Sequence, residues 1–242
     1  MTDPQTASDR APDERIICAL DVPTTAEAAA LAERIGDAIG FYKVGLQLFA
    51  VDGMALAREL KAQGRRIFLD WKLHDIGATV EKATANLADA DCDLLTVHAR
   101  PQVMAAAARG AAGSKMKVLG VTVLTSLTAE DLSADDHSLS PADLVERRVR
   151  QALEAGIDGV VSSPHEAARA RALADDAGRP DFLIVTPGVR PVGAALDDQA
   201  RAATPEAALQ AGATHLVIGR PITASSDPRA AAQAIAQQIA LI

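Results

Sequence analysis

Apolar and polar positions along this chain come in blocks. Eight short apolar runs rich in β-branched residues are spaced along it: RIICALDV (15–22), FYKVGL (41–46), RIFLDWKL (66–73), DLLTVHA (93–99), KVLGVTVL (117–124), GVVSSP (159–164), FLIVTPG (182–188) and HLVIGR (215–220). Strands this continuously apolar are buried on both faces, as in parallel sheets covered by helices. Ala-rich helical stretches fill the gaps. TTAEAAALAERI, SPADLVERRVRQALEAG and TPEAALQAG each carry a Ser or Thr followed within three residues by Glu or Asp, a helix-start pattern. Gly156 and Gly212 stand where helices should stop before the next strand. Eight strand–helix units without a linker predict an α/β fold, a single-domain (β/α)8 TIM barrel over residues 14–242, after a short disordered polar tail over 1–13. An open doubly wound sheet would want a Gly-rich phosphate loop after the first strand, and ALDVPTTAEA has none. The long irregular stretches 125–140 and 188–203 read as lids or binding loops.

Composition narrows the function classes. Nearly half of the 242 residues (49%) are apolar but only 2% are aromatic, so the core must come from Ala, Val, Leu and Ile. The 24 Lys+Arg against 32 Asp+Glu leave a formal charge of −8, which argues against a nucleic-acid or anionic-membrane surface. A small anion gripped by a few placed cations stays open. Cys18 and Cys92 form neither a CxxC pair nor a metal-ligand spacing and read as buried free thiols. The first residues, MTDPQTASDRAPDER, lack the basic start and apolar core of a signal peptide, and no apolar run nears the ~18–20 residues that span a bilayer. The expectation is a soluble cytoplasmic protein.

Barrel chemistry collects at the C-terminal ends of the strands. Those ends carry Asp21, Lys43, Asp70 with Lys72, His98, Thr125, Ser162 with Ser163, Pro187 and Arg220. In FLDWKLHD, Asp70 and Lys72 are two apart on one strand, on the same face and ~6–7 Å apart along the chain. Lys43 ends the neighbouring strand and Asp75 follows as the turn begins. An ion-pair network that merely closes the barrel is the plainer alternative. Four charges that each cost several kcal/mol to desolvate favour a site instead. Opposite charge close to a lysine favours its ammonium form, which suits Lys72 to give a proton rather than to attack as a Schiff-base amine. Asp70 would repel a substrate carboxylate brought beside it; loss of that carboxylate as CO2 would relieve the repulsion, and Lys72 could protonate the carbon left behind. Trp71 alternates to the opposite face and should pack under helices. His98 and His74 read as packing or hydrogen-bonding residues. There is no HExxH, Cys cluster or carboxylate pair at metal-ligand spacing, so no metal site is expected.

THLVIGRPIT forms a second constellation. Gly219 lets backbone approach an anion, and Arg220 offers a fork for phosphate oxygens after the last strand, where barrels often hold a phosphate. The preceding loop, TPGVRPVGAALDDQARAATP, brings Arg190, Gln199 and Arg201 on a lid.

Taken together, ALDV, YKVG, FLDWKLHDIGATV, VTVLTS, TPGVR, DDQAR and VIGRP, in this order across residues 15–223, resemble the compact bacterial orotidine 5′-phosphate decarboxylases. The resemblance implies conversion of orotidine 5′-phosphate to UMP without metal or cofactor. It implies that Asp21 and Lys43 hold the ribose hydroxyls, that Asp70 sits beside the substrate carboxylate and that Lys72 delivers a proton to C6. Asp75 and Thr79 would reach the other subunit's site in a homodimer. Thr125, with Ser126 as the alternative, would contact the pyrimidine, while Gln199, Gly219, Arg220 and Arg190 would hold the phosphate. Trp71 stands where a smaller apolar residue is more usual, and DIGAT where DIPNT is frequent; neither change removes a charged group. The alternatives are a metal-dependent sugar-phosphate decarboxylase or aldolase on a related barrel, a Schiff-base aldolase using Lys72, and a nucleotide sensor without catalysis.

Overall fold

Thr24, Ser140 and Thr204 each accept, through the side-chain hydroxyl, the backbone N–H three residues on, at 3.2 Å in all three cases. These are the starts that the sequence pattern anticipates, and each satisfies a donor that the first helical turn leaves open. Gly156 closes its helix in the left-handed region at φ 73°, which a residue with a side chain adopts reluctantly.

The computed structural model describes residues 12–125, 127–134, 138–191, 203–240 and 242. The polar tail expected over 1–13 lies, through residue 11, outside them. The elements run β1 (Ile16–Ala19), α1 (Thr25–Ile35), β2 (Phe41–Gly45), α2 (Leu46–Phe49), α3 (Gly53–Ala62), β3 (Arg66–Leu73), α4 (Gly77–Asp89), β4 (Leu94–His98) and α5 (Pro101–Gly110). They continue with β5 (Lys117–Val121), α6 (Ala129–Ala134), α7 (Pro141–Ala155), β6 (Gly159–Val161), α8 (Ala167–Asp176), β7 (Leu183–Thr186), α9 (Pro205–Gln210), β8 (His215–Ile218), α10 (Arg220–Thr223) and α11 (Pro228–Ile239). Every strand pairs in parallel with the next, and β8 pairs with β1, so the sheet closes as the barrel that the block pattern predicts.

Both faces of the strands are buried, which explains their continuous apolar runs. Ile17, Ala19, Phe41, Phe68, Leu94, Leu119, Val185 and Val217 fill the barrel interior. Alternate residues such as Cys18, Tyr42, Val44, Ile67 and Leu69 pack outward into one helix-covered core, and Val97, Val118, Val160 and Ile184 into another. Trp71 joins the outer packing as expected, its ring 4.6 Å from that of Phe49 on α2.

Most of the paired strands are shorter than the apolar runs. β1 ends at Ala19, leaving Asp21 beyond the ladder, and β7 ends at Thr186, before Pro187 and Gly188. One strand departs from regularity: Leu69 pairs with Leu95 and Leu73 with Val97, so β3 takes four steps while β4 takes two. Within this bulge Lys72 holds the left-handed conformation at φ 49°. Bulges of this kind re-aim side chains beside sites.

Candidate active site

Three strands deliver the charge cluster. Lys43 on β2 is 7% exposed, with Nζ 2.9 Å from Asp21 Oδ1 and 3.4 Å from Asp70 Oδ2. On β3, Lys72 Nζ donates to Asp70 Oδ1 at 2.8 Å. Burial works against the Lys43 ammonium, yet the carboxylates of Asp70 and Asp21 outweigh it and hold the amine above its ordinary value. Burial likewise favours a neutral Asp70, but Lys43, Lys72 and a hydroxyl donor from Thr96 overcome it and keep the carboxyl below its usual range. Lys43 and Asp70 are therefore held charged, and the array is tight: a Cβ on Gly45 would stand 2.6 Å from Asp21 Oδ1 and 2.9 Å from Lys43 Nζ.

These groups open into a cavity of about 440 Å³ at the C-terminal mouth of the barrel, within the roughly 300–1,000 Å³ usual for small-molecule sites. Asp21, Lys43, Asp70, Lys72, Thr125, Arg190, Gly219 and Arg220 all line it. Phe68, Val121, Val161, Pro187 and Val217 supply apolar walls. One side is anionic and cationic in close pairs, and the β7–β8 side carries Arg190 and Arg220. Gly188, at φ 76°, makes the left-handed turn that carries the chain from Pro187 toward Arg190. Arg190 is 8% exposed, and its backbone N–H donates to Ala203 O at 2.9 Å.

Not every expected residue joins the cavity. Asp75, just before α4, and Thr79, in its first turn, are exposed, and Asp75 Oδ1 accepts the Ile76 N–H at 2.6 Å. Neither lines the cavity. Gln199, Arg201 and Ser126 lie outside the described residues. His98 faces His74 with ring centroids 5.2 Å apart, and burial, then His74, Lys72, Arg148 and Arg100, push its pKa below the ordinary value. Arg148, which the sequence did not single out, donates to Thr122 O.

Residues 14–235 match the model of the Orotidine 5'-phosphate decarboxylase / HUMPS family. The chain belongs to that family. It is similar to the orotidine 5'-phosphate decarboxylase of Caulobacter vibrioides, 63% identical over 228 residues covering 94% of this chain and 98% of the relative. The Cereibacter sphaeroides protein of the same name is 54% identical over 231 residues, 94% of this chain and 97% of that one. Among solved structures, orotidine 5'-phosphate decarboxylase from Lactobacillus acidophilus superposes with a TM-score of 0.81 at 36% identity, covering 94% of this chain and 99% of that one.

For a member of the decarboxylase/HUMPS family, one residue of this centre escaped the sequence reading. Thr96 is fully buried on β4; its hydroxyl donates to Asp70 Oδ1 at 3.0 Å and accepts the Lys72 backbone N–H at 3.0 Å. The available signal was a lone polar residue inside DLLTVHA, which in a doubly buried strand needs a partner. Among the described residues no group of three or more His, Cys, Asp and Glu side chains is placed to hold a metal ion, and no helix is long and apolar enough to cross a membrane.

Proposed function

We propose that this chain decarboxylates orotidine 5′-phosphate to UMP and CO2, the closing step of de novo pyrimidine synthesis, with Lys72 as the proton donor. The observation that carries the reading is the Lys72–Asp70 contact of 2.8 Å at the wall of a cavity that also holds Arg220. Arg220, the Gly219 backbone and Arg190 grip the phosphate, with Gln199. Asp21 and Lys43 hold the ribose hydroxyls, and Thr125 meets the pyrimidine edge. Phosphate and ribose are remote from the bond that breaks, so their binding energy can be spent pressing the substrate carboxylate toward Asp70.

The step balances without a redox partner. The C6–carboxylate bond breaks, CO2 departs and its bonding pair stays on C6. Lys72 transfers a proton to that pair, and solvent restores the ammonium. Asp70 holds the amine in place and, as a buried carboxylate, repels the substrate carboxylate, so that moving the charge from the carboxylate onto C6, beside the Lys72 ammonium, is favourable.

The working unit we infer is a homodimer in which Asp75 and Thr79 complete the neighbouring site. Its support is an apolar surface at the ends of the adjacent strands β2 and β3: Leu46 is 57%, Phe49 53%, Val51 44% and Ile76 72% exposed. Large side chains exposed together mark an interaction face, and Ile76 adjoins Asp75. A cytoplasmic enzyme acting on a free nucleotide fits these features.

The experiment is direct. Protein treated with excess EDTA is mixed with orotidine 5′-phosphate, and ultraviolet absorbance and released CO2 are followed together. Stoichiometric conversion to UMP is expected. Activity that appears only after a divalent metal is restored would instead support the metal-dependent sugar-phosphate chemistry found on related barrels, and tight UMP binding with no CO2 would support a sensor.

A further inference from the structure

We propose that Thr96 is a positioning residue for this reaction, its hydroxyl holding the Asp70 carboxylate and the Lys72 main chain in the geometry that joins amine to acid. The inference rests on the reading of Asp70 and Lys72 above and assigns a group that reading does not use. In a regular strand, residues two apart stand ~6.5–7 Å apart at Cα with side chains parallel. Here β3 carries two more residues than β4 between the paired positions Leu69–Leu95 and Leu73–Val97. Thr96 is the β4 residue that faces this bulge, between Leu95 and Val97.

A bulge leaves backbone donors without ladder partners, and a buried N–H must find one. The Lys72 N–H finds the Thr96 hydroxyl oxygen at 3.0 Å. The same hydroxyl sends its only proton to Asp70 Oδ1 at 3.0 Å, the oxygen that also receives Lys72 Nζ at 2.8 Å. One side chain thus closes a ring through main chain, amine and carboxylate. Lys72 sits in the left-handed region at φ 49°, which L-residues rarely occupy without such restraint. Thr96 is fully buried and does not line the cavity, so it acts through Asp70 and Lys72 and not on the substrate.

The charged groups that face Asp70 are Lys43 from β2 and Lys72 from β3, with Asp21 bonded to Lys43 behind them. Removing the Thr96 donor leaves the carboxylate less stabilised, so protons reach it at higher pH and the acid limb of the kcat profile moves upward.

The test compares kcat, KM and the pH profile of the full chain as wild type, Thr96→Val, Thr96→Ala, Thr96→Ser and Asp70→Asn. Thr96→Val keeps the shape without the hydroxyl; kcat should fall about tenfold or more, as for one lost hydrogen bond to a charged group, with KM little changed. Its acid limb should lie above that of the wild type. Thr96→Ser should restore both rate and limb, and Thr96→Ala should repeat the loss if the valine variant does not fold. Wild-type kcat and an unmoved limb in Thr96→Val or Thr96→Ala, beside an inactive Asp70→Asn, would overturn the role of Thr96 alone. An Asp70→Asn variant with wild-type kcat would overturn the underlying reading of the site.

Discussion

Asp21 Oδ1 lies 2.6 Å from the point where a Cβ on Gly45 would stand. Lys43 Nζ is 2.9 Å from the same point, so the absence of a side chain at 45 is what lets the two groups meet. Both obstructing atoms are tips of flexible side chains, which can swing aside without disturbing the strands. Gly45→Ala should therefore leave the barrel folded, by circular dichroism and thermal midpoint, while parting the pair proposed to hold the ribose. KM for orotidine 5′-phosphate should rise about tenfold, the worth of one charge-assisted hydrogen bond. An unchanged KM would detach Asp21 and Lys43 from sugar recognition.

Arg220 carries the phosphate end of the account. Arg220→Ala should lower kcat/KM for orotidine 5′-phosphate about a thousandfold, several kcal/mol of transition-state stabilisation. The nucleoside orotidine, which lacks the phosphate, should react no more slowly with the variant than with the wild type. Equal losses on both substrates would place Arg220 in the structure of the mouth and not in phosphate binding.

Asp75 and Thr79 stand exposed and outside this cavity, which makes the proposed shared site testable by complementation. Lys72→Ala and Asp75→Ala should each be severely impaired alone. In a two-fold dimer, a co-refolded equal mixture should regain about a quarter of wild-type sites, since each mixed dimer has one intact site. A mixture no better than its parents would mean that Asp75 serves its own subunit or none.

His215 gives a pH-dependent contribution to stability. Its ring lies edge-on to Phe41, with Nδ1 3.0 Å from Thr214 Oγ1. Burial first, then Arg66, lowers its pKa to about 4, against a smaller opposing pull from Asp13. The unfolded chain takes up this proton near pH 6.5, where the folded chain still resists it. Stability from this group is thus complete above pH 6.5 and declines as pH falls toward 4. Between pH 7.5 and 5 the wild type should lose on the order of 2 kcal/mol that His215→Gln does not lose, read as the difference between two denaturant-unfolding series. Parallel losses in both proteins would show that His215 titrates normally.

The barrel was legible because its strands are buried on both faces and its helices carry hydroxyl starts at Thr24, Ser140 and Thr204. Paired strands stop short of most apolar runs, because residues such as Asp21 and Pro187 leave the ladder to line the cavity. The closeness of Asp70 and Lys72 was anticipated for an incomplete reason. Same-face geometry alone leaves them a strand repeat apart, whereas the contact is made within a bulge with Lys72 left-handed, a conformation that lysine does not advertise in sequence. Thr96 was hidden for a related cause: its partners come from another strand, at a register that only the closed sheet creates. Asp75 illustrates the opposite limit. The sequence suggested one cluster of Lys43, Asp70, Lys72 and Asp75, but the turn into α4 leads the Asp75 carboxylate away from this cavity.

The central claim is that the Lys72 ammonium, held on Asp70, supplies the proton to C6. It is tested most directly by Lys72→Ala, with UMP binding and circular dichroism as checks that the pocket and barrel persist. Release of CO2 from orotidine 5′-phosphate should fall by more than about a thousandfold while UMP still binds. A variant that folds, binds UMP and releases CO2 near the wild-type rate would contradict the account.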